Sequence, residues 1–280
     1  MLSMINVTAH AKVNLTLHVL GQRSNGYHEL QSLVCLTKFG DQLFLTPAAE
    51  FSFTVTGPFC AGIPHDDSNL VVKAAQFMAK KYSKALTMKV VLEKNLPMAS
   101  GIGGGSSDAV AMIKALSEYW AVPMPPFDEV MELGADLPVC MTSGFTLMEG
   151  AGEKITPLMP ATDWGIVLVN PNVGISTPAV FQALKSKQNP PMKSVATQCT
   201  NVTWLGDQRN DLEEPAIALV PEVADVIAAL RTVDACAVAR MSGSGATCFG
   251  IFPNETIARA AAVQMRNSHP NWWSVATKLV

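Results

Sequence analysis

Apolar and polar residues alternate with a period of two through much of the first part of the chain. Such alternation places successive side chains on opposite faces and is typical of half-buried strands. Turn-forming residues separate the alternating segments. The pattern predicts strands in residues 4–10, 12–20, 30–38, 42–46, 51–56 and 86–93.

The period changes to that of a helix in two places in this half. In residues 66–85 the apolar side chains recur on one helical face, and Asp67 or Ser68 can cap the N-terminus. A second helical face follows the glycine-rich stretch and is marked by Ala109, Ile113, Leu116 and Trp120. The sequence VPMPPF ends that helix, and a short helix is predicted from Phe127.

The second half predicts a different order of elements. A strand at 164–170 precedes a helix capped by Thr177, a polar loop from Ser186 to Thr203, and one or two helices within 213–230. Strands at 235–240 and 246–252, a helix capped by Asn254 and a last strand then follow. Without the extra helices this is the β-α-β-β-α-β order of a ferredoxin-like domain. We therefore predict an α+β chain with a domain boundary near Pro157–Asp163.

Composition excludes several classes of protein. Of 280 residues, 49% are apolar and 15% charged, so the chain can bury a sizeable core. The net charge is −3, and no basic block exceeds the pair Lys80-Lys81. Because a basic patch supplies most of the affinity for nucleic acid or an anionic membrane surface, we expect neither partner.

The six cysteines indicate neither a zinc site nor a redox motif, because none forms a C-x-x-C pair. We find no opening signal segment and no stretch of about 18 apolar residues that could span a bilayer. A reducing cytoplasm is the expected location.

Residues Asn95–Val110 read NLPMASGIGGGSSDAV and contain four glycines, at positions 101, 103, 104 and 105. A flexible linker or a plain strand-to-helix turn would explain some of them. An anion cradle explains all of them, because backbone N–H groups of a glycine turn and of the following helix N-terminus point at one ligand. Ser106 and Ser107 can cap that helix and offer hydroxyls to phosphate.

The loop matches neither of two common nucleotide motifs. No Gly-Lys-Ser/Thr follows, so it is not a P-loop. Ser106 stands where a dinucleotide fingerprint needs its third Gly or Ala, and the acidic residue expected about 20 positions on is missing.

Two polar pairs near the N-terminus are candidate ligand contacts. Lys12 and Asn14 are two residues apart and share a strand face. Asn25-Gly26 is a strong hairpin-turn signal, and Tyr27 and His28 follow it directly. An aromatic ring and an imidazole at a turn can stack on and hydrogen-bond a base, although alone they are more often surface residues.

Asp136 lies in the sequence GADLP, where a helix N-cap is the ordinary explanation. A carboxylate kept ionised at a helix N-terminus is also what a hydroxyl needs as proton acceptor in phosphoryl transfer. A second small-residue loop, Ser242–Gly245, joins two predicted strands and offers either a glycine hairpin or a ligand surface.

Taken in order, these motifs resemble the GHMP kinase superfamily. The resemblance runs from Ala11 to about Ile251 through Lys-x-Asn, GQRSNGYHEL, LPMASGIGGGSSDA, GADLP, NDLE and SGSGATCFG. The GQRSNGYHEL and GADLP segments narrow it to the branch that phosphorylates a cytidylyl-methylerythritol alcohol in the non-mevalonate isoprenoid route.

That resemblance implies two domains, an ATP-binding one like ribosomal protein S5 domain 2 (1–158) and a ferredoxin-like one (159–280). It implies that Asp136 takes the proton from the methylerythritol 2-hydroxyl and that Lys12 orients the hydroxyl and keeps Asp136 ionised. Further implied substrate contacts are Asn14 on the erythritol part, Tyr27, His28 and Phe181 on cytosine, and Thr177 in the substrate pocket.

The same resemblance implies ATP with Mg²⁺ as phosphate donor. Asn69 and Lys94 match positions near the adenine, and no metal ligand is assigned. The implied phosphate-binding residues are Pro97, Met98, Ala99, Ser100, Gly101, Ile102, Gly103, Gly104, Gly105, Ser106 and Ser107.

Three alternatives stay open on sequence alone. The first is another kinase of the superfamily that acts on mevalonate or homoserine. The second is a non-catalytic ligand-binding member of the fold, which the presence of both Lys12 and Asp136 disfavours. The third, a dinucleotide-binding oxidoreductase, is remote because the fingerprint is broken. We expect a monomer or weak homodimer.

Overall fold

A computed structural model describes residues 4–280. The described chain divides into two compact units that do not follow the chain order. The first unit takes the chain up to Ala11 together with Phe39–Met98 and Gly103–Met141. The second takes Lys12–Lys38, Ala99–Ile102 and Thr142–Val280, so the predicted boundary near residue 158 falls inside it.

Residues 4–157 contain seven strands and four helices. In chain order they are β1 (Ile5–Asn14), β2 (His18–Gln22), β3 (His28–Pro47), β4 (Ser52–Thr56), α1 (Leu70–Tyr82), β5 (Met88–Glu93), α2 (Gly104–Trp120), α3 (Phe127–Met131), α4 (Leu137–Cys140), β6 (Thr146–Gly150) and β7 (Lys154–Pro157). The strands β6 and β7 are not among the elements that the sequence pattern predicted.

The C-terminal half contains four strands and six helices. They are β8 (Gly165–Asn170), α5 (Thr177–Gln182), α6 (Val195–Gln198), α7 (Val202–Gly206), α8 (Glu213–Leu219), α9 (Glu222–Arg231), β9 (Val238–Met241), β10 (Cys248–Phe252), α10 (Glu255–Ser268) and β11 (Trp273–Lys278). The predicted polar loop 186–203 therefore holds the short helix α6 and the start of α7.

In the first unit, β5 pairs with β4 in parallel and with the last part of β3 antiparallel. Helices α1 and α2 pack against each other, as expected from their apolar faces. The predicted caps of α1 are wrong. The cap is Asn69, whose side chain accepts the N–H of Val71 at 2.9 Å.

The predicted strands 30–38 and 42–46 form one continuous strand, β3. The turn expected between these two segments does not occur, because Gly40 and Asp41 are packed inside the first unit. A Cβ on Gly40 would lie 2.0 Å from the carbonyl oxygen of Ala9, so only glycine lets the two backbones approach. Asp41 is fully buried and accepts backbone N–H groups.

In the second unit, a four-stranded antiparallel sheet has the order β11-β8-β10-β9. Together with α10 and the helices between β8 and β9, it confirms the ferredoxin-like β-α-β-β-α-β order. All six residues of β8 are buried, as a central strand covered on both faces requires. Asn254 caps α10 as predicted, accepting the N–H of Ile257 at 3.0 Å.

In the rest of the second unit, β3 pairs antiparallel with β2 and β6, and β6 pairs antiparallel with β7. The predicted Asn25-Gly26 turn joins β2 to β3, and Gly26 has the positive φ, 89°, that such a turn favours. The predicted cap of α5 is wrong by one residue. Thr177 begins the helix, and the cap position is Ser176.

The six cysteines are free, and four of them are buried. Among the helices of residues 4–280, none is both long and apolar enough to cross a bilayer.

Candidate functional site

The N-terminus of α2 carries the features expected of an anion site. The cap residue Gly103 is left-handed, with φ 65°, and no side chain in the described chain caps the helix. The helix then begins with Gly104, Gly105 and Ser106, whose N–H groups have no acceptor within the helix. No acidic residue occupies the first turn, so the positive end of the helix dipole stays uncompensated.

The predicted capping role of Ser106 and Ser107 is wrong, because both lie inside the helix. The backbone N–H of Ser107 donates to the carbonyl of Gly103 at 2.9 Å. Its hydroxyl is buried and donates to the Sγ of Cys140 on α4 at 3.4 Å. Sequence alone does not distinguish a left-handed glycine cap at Gly103 from a serine cap three or four residues later.

The first part of the glycine loop, Ala99–Ile102, belongs to the second unit and is held tightly there. Gly101 has φ 75°, and a Cβ on it would lie 2.3 Å from the carbonyl oxygen of Ser242. The hydroxyl of Ser242 donates to the carbonyl of Gly101 at 3.0 Å. The N–H of Lys12 donates to the carbonyl of Ile102 at 2.9 Å. This glycine is therefore required by close backbone approach.

The remaining residues of the predicted phosphate loop differ in exposure. Pro97, Ser100 and Ile102 are buried, whereas Met98 and Ala99 are exposed. The carbonyl of Ser100 accepts the N–H of Thr247 at 3.1 Å within the second unit.

A buried cluster of three charged side chains lies beside Gly104 in the first unit. The Nζ of Lys94 bonds to Oδ2 of Asp41 and, at 2.6 Å, to Oδ2 of Asp108. The other oxygen of Asp41 accepts the N–H groups of Asn95 at 2.5 Å and Leu96 at 2.8 Å. Sequence reasoning missed Asp41 and Asp108, because their partners are far along the chain.

Burial changes the proton affinities of this cluster. It raises the pKa of Asp108 to about 8; the positive charge of Lys94 opposes the shift and the negative charge of Asp41 adds to it. Burial alone would lower the pKa of Lys94, but the charges of Asp108 and Asp41 outweigh it and raise that pKa.

The two residues expected near the adenine are both engaged within the first unit. Asn69 donates from Nδ2 to the carbonyl of Pro64 at 2.9 Å and caps α1 with its oxygen. The ammonium of Lys94 is held by its two carboxylates, and its backbone N–H donates to Thr56 at 2.8 Å.

A neutral hydrogen-bond network surrounds Asn14 in the second unit. Its Nδ2 donates to the hydroxyl of Ser32 at 2.8 Å, and its backbone N–H donates to the hydroxyl of Ser242 at 3.0 Å. Ser32 in turn donates to the carbonyl of Thr16 at 2.5 Å. Asn14 and Lys12 are both buried, with 1% and 5% exposure. The network fixes the rotamer of Asn14.

An aromatic pair lies near the start of β3 in the second unit. The ring of His28 stacks on Phe181 with centroids 4.7 Å apart and planes 22° from parallel. The Nε2 of His28 is buried and has no hydrogen-bond partner within residues 4–280. Burial and the charge of Lys187 lower the pKa of His28, so the ring is neutral at pH 7.

Two other predicted substrate contacts, Tyr27 and Thr177, are exposed. Tyr27 is 63% exposed at the β2–β3 turn, and in this structure His28 is the residue that stacks on Phe181. The exposed Thr177 shares a hydrogen bond of 2.7 Å with the hydroxyl of Ser244. The second serine of the Ser242–Gly245 loop thereby adjoins a predicted substrate contact.

Asp136 occupies the cap position of α4, in the first unit. Its carboxylate caps no N–H of that four-residue helix within the described chain. The residue is half-buried, with φ −87° and ψ −6°. Its side chain is thus not used for the structural role that its position first suggests.

Residues 4–280 contain no group of three or more His, Cys, Asp or Glu side chains that could hold a metal ion.

Two family models match the chain. The model described as the GHMP kinases N terminal domain matches residues 69–146, and that described as GHMP kinases C terminal matches residues 195–271. They lie on either side of the predicted domain boundary. A 4-diphosphocytidyl-2-C-methyl-D-erythritol kinase of Cereibacter sphaeroides is 48% identical over 275 residues, covering 96% of this chain and 97% of the relative. The chain belongs to the 4-diphosphocytidyl-2-C-methyl-D-erythritol kinase family of GHMP kinases.

Other comparisons agree with membership of this kinase family. A relative of the same name from Ruegeria pomeroyi is 44% identical and covers 96% of this chain and 97% of its own length. A crystal structure of a 4-(cytidine 5'-diphospho)-2C-methyl-D-erythritol kinase matches with a TM-score of 0.83 at 30% identity, over 98% of this chain and 99% of that one. A homoserine kinase from Cytophaga hutchinsonii, 16% identical with a TM-score of 0.75 over 100% of this chain and 96% of its own, shows the shared fold alone.

Proposed function

We propose that the protein transfers the γ-phosphoryl group of ATP to the 2-hydroxyl of 4-diphosphocytidyl-2-C-methyl-D-erythritol, in the non-mevalonate isoprenoid route. The observation that carries this proposal is 48% identity to a relative of that name over 96% of the chain. The Nε2 of His28 has no hydrogen-bond partner among residues 4–280, and its ring stacks on Phe181, which supports a base-binding role in the same reaction.

On the donor side, the N-terminus of α2 is proposed to bind the ATP phosphates. Its first three N–H groups lack acceptors within the helix, and its dipole favours an anion there. The residues Pro97–Ser107 are proposed to form this cradle, and Asn69 is proposed to lie near the adenine. Mg²⁺ would be carried by ATP, because no protein ligand for it is assigned.

On the acceptor side, cytosine is proposed to stack on aromatic rings and to be hydrogen-bonded by His28. Stacking on an aromatic face contributes about 1–3 kcal/mol for a base. The arrangement proposed places cytosine between Tyr27 and Phe181, with the ring of His28 turned away from Phe181 when substrate binds. Asn14 would contact the erythritol part, and Thr177 would line the pocket.

The proposed chemistry is a direct displacement. Asp136 accepts the proton of the 2-hydroxyl as its oxygen forms a bond to the γ-phosphorus, and the bond from that phosphorus to the bridging oxygen breaks to release ADP. Lys12 orients the hydroxyl. Positioning and electrostatic stabilisation supply the rate enhancement, since phosphoryl transfer requires little covalent participation by the protein.

The substitution Asp136→Asn tests this mechanism. It keeps the size of the side chain and removes the proton acceptor, so we expect kcat to fall by about 10²–10⁴ while ATP affinity changes little. Asp128→Asn, an exposed acid in the first turn of α3, is the matched control and should leave kcat unchanged. Near-normal turnover by Asp136→Asn would refute the assignment.

A panel of acceptors tests the substrate. ADP release that depends on the cytidylyl substrate supports the proposal, whereas release with mevalonate or homoserine alone would favour another GHMP kinase. Failure to release ADP with any acceptor would favour a non-catalytic role.

We further propose that the protein is cytoplasmic and is a monomer or weak homodimer. Light scattering over a range of protein concentrations would test the oligomeric state.

A further inference from the structure

The cluster of Asp41, Lys94 and Asp108 contains two carboxyl groups and one ammonium group. All three side chains are almost completely buried. If both carboxylates were ionised, the cluster would carry one net negative charge away from water. An uncompensated buried charge is costly, and a buried group commonly changes its protonation state instead. One of the two carboxyl groups is therefore expected to hold a proton.

The hydrogen bonds distinguish the two carboxyl groups. Asp41 accepts two backbone N–H groups and the ammonium of Lys94, which stabilises its ionised form. Asp108 receives the ammonium on Oδ2 only, and its buried Oδ1 has no partner within the described residues. A carboxylate oxygen without a donor loses its hydration without replacement. Asp108 is consequently the residue that takes the proton.

The cluster lies directly against the proposed phosphate site. A Cβ added to Gly104, the first residue of α2, would be 3.5 Å from Nζ of Lys94 and 3.8 Å from Oδ2 of Asp41. Asp108 lies four residues further along the same helix, on the same face as Gly104. A change in the charge of Asp108 would thus be felt by an anion bound at the N-terminus of α2.

We propose that Asp108 is a positioning residue for ATP that works in its protonated form, keeping the cluster beneath the phosphates without net charge. This inference rests on the proposed ATP site. Lys94 supplies one positive charge, Asp41 one negative charge and protonated Asp108 none. Ionised Asp108 would add a negative charge beneath the phosphates and weaken their binding.

The other elements that pack on α2 contribute few titratable groups here. Lys73, Lys80 and Lys81 of α1 are exposed, while that helix buries apolar residues. On α4, the thiol of Cys140 contacts Ser107. The charged side chains that act on Asp108 are Lys94 and Asp41.

The sign of the pH effect follows from the raised pKa of Asp108, about 8, against about 3.9 in an unfolded chain. Between these values the folded protein holds a proton that the unfolded chain has lost. The stabilisation from this proton is complete below the unfolded pKa and is lost as pH rises through the folded pKa. ATP affinity should fall over the upper part of this range.

The first experiment measures KM for ATP and kcat between pH 6 and 9.5 in the wild type and in Asp108→Asn, which is neutral at every pH. We expect the wild-type KM to rise about threefold to tenfold as Asp108 ionises. The variant should have a KM for ATP that stays constant over this pH range. Parallel pH profiles of KM in the two proteins would overturn the proposal.

The second experiment needs no turnover, so it separates failure of this inference from failure of the proposed function. The infrared difference spectrum between wild type and Asp108→Asn should contain the carbonyl band of a protonated carboxylic acid at pH 6.5, lost near pH 8. A carboxylate signature alone at pH 6.5 would overturn the proposal.

If Asp108→Asn does not fold, Asp41→Asn replaces it. Removing the negative charge that disfavours ionisation of Asp108 should lower the pH at which the band disappears. An unchanged pH would contradict the inference.

Discussion

Lys94 in the first unit and Arg240 in the second are both buried cations, and their donors are satisfied in opposite ways. Lys94 in the first unit bonds to two carboxylates, and their charges raise its pKa. Arg240 in the second unit donates to four backbone carbonyls, those of Leu15, Leu205, Gly206 and Gln208. Burial lowers the pKa of Arg240 to about 10; Glu213 opposes the shift and Arg231 adds to it.

Because of this difference, the cluster around Lys94 can change its protonation state with pH, whereas the carbonyl groups around Arg240 cannot. Carboxylates attract the cation but can exchange protons with solvent, whereas carbonyls satisfy its donors and stay neutral at every pH. The groups proposed to contact cytosine and the erythritol part follow the second pattern, with amide, hydroxyl and aromatic groups. The charged Lys94 cluster lies near the proposed phosphates, where it can act on an anion.

The largest expected effect is from Lys94→Met. Removing the cation leaves two buried carboxyl groups without their counter-charge, which costs about 3–5 kcal/mol of stability. The loss should grow from pH 5 to pH 8, because a carboxyl group buried without its counter-charge must take up a proton on folding. Chemical denaturation at several pH values measures it. Lys81→Met removes a partly exposed pair with Glu129 and serves as the control, with little effect expected.

Arg240→Met tests the other half of the comparison. The four carbonyls lose their donor, which should cost about 3 kcal/mol. Between pH 6 and 8 the arginine is charged in both folded and unfolded chains, so this loss should not change with pH. The same denaturation series measures it. A pH-dependent loss as steep as that of Lys94→Met would remove the distinction between the two units.

Gly101→Ala tests whether the stability of the second unit depends on close approach of two backbone segments rather than on charge. A left-handed alanine combined with an overlap at 2.3 Å from the carbonyl of Ser242 should cost about 2–3 kcal/mol. Gly26→Ala is the matched control, since Gly26 is also left-handed but a Cβ there meets nothing within 4 Å. Equal destabilisation in thermal unfolding would show that φ alone matters.

Phe181→Leu should have the smallest effect and act on binding alone. Loss of ring stacking is expected to cost about 1–2 kcal/mol, or roughly a tenfold rise in KM for the cytidylyl substrate. KM for ATP should not change, and Phe181→Tyr should retain normal values. Because the recognition is uncharged, the effect should be insensitive to salt. A strong salt dependence would contradict a neutral cytosine site.

The elements that the sequence predicted correctly are those whose hydrophobic pattern lies within one short segment of the chain. Alternation predicted β4, β5 and the ferredoxin-like order, and apolar faces predicted α1 and α2. Helix caps were less accurate, because Asp67, Ser68 and Thr177 are as good caps in isolation as the residues used. The continuity of β3 depends on the approach of Ala9 to Gly40, which no local pattern records.

In the candidate site, too, local motifs were predictable from the sequence and long-range contacts were not. The glycine loop, Asp136 and the residues after the Asn25-Gly26 turn stand out in sequence because small or polar residues cluster there. The partners of Lys94 lie 53 and 14 residues away, and those of Asn14 lie 18 and 228 residues away. Only the folded chain brings these groups together, so sequence reasoning could not assign the buried cluster.

A coupled ADP-release assay with purified protein, Mg-ATP and 4-diphosphocytidyl-2-C-methyl-D-erythritol tests the central claim most directly. The account predicts one ADP for each acceptor phosphorylated at its 2-hydroxyl, with release reduced by orders of magnitude in Asp136→Asn. Full release of ADP by that variant, or release that requires mevalonate or homoserine instead, would contradict it.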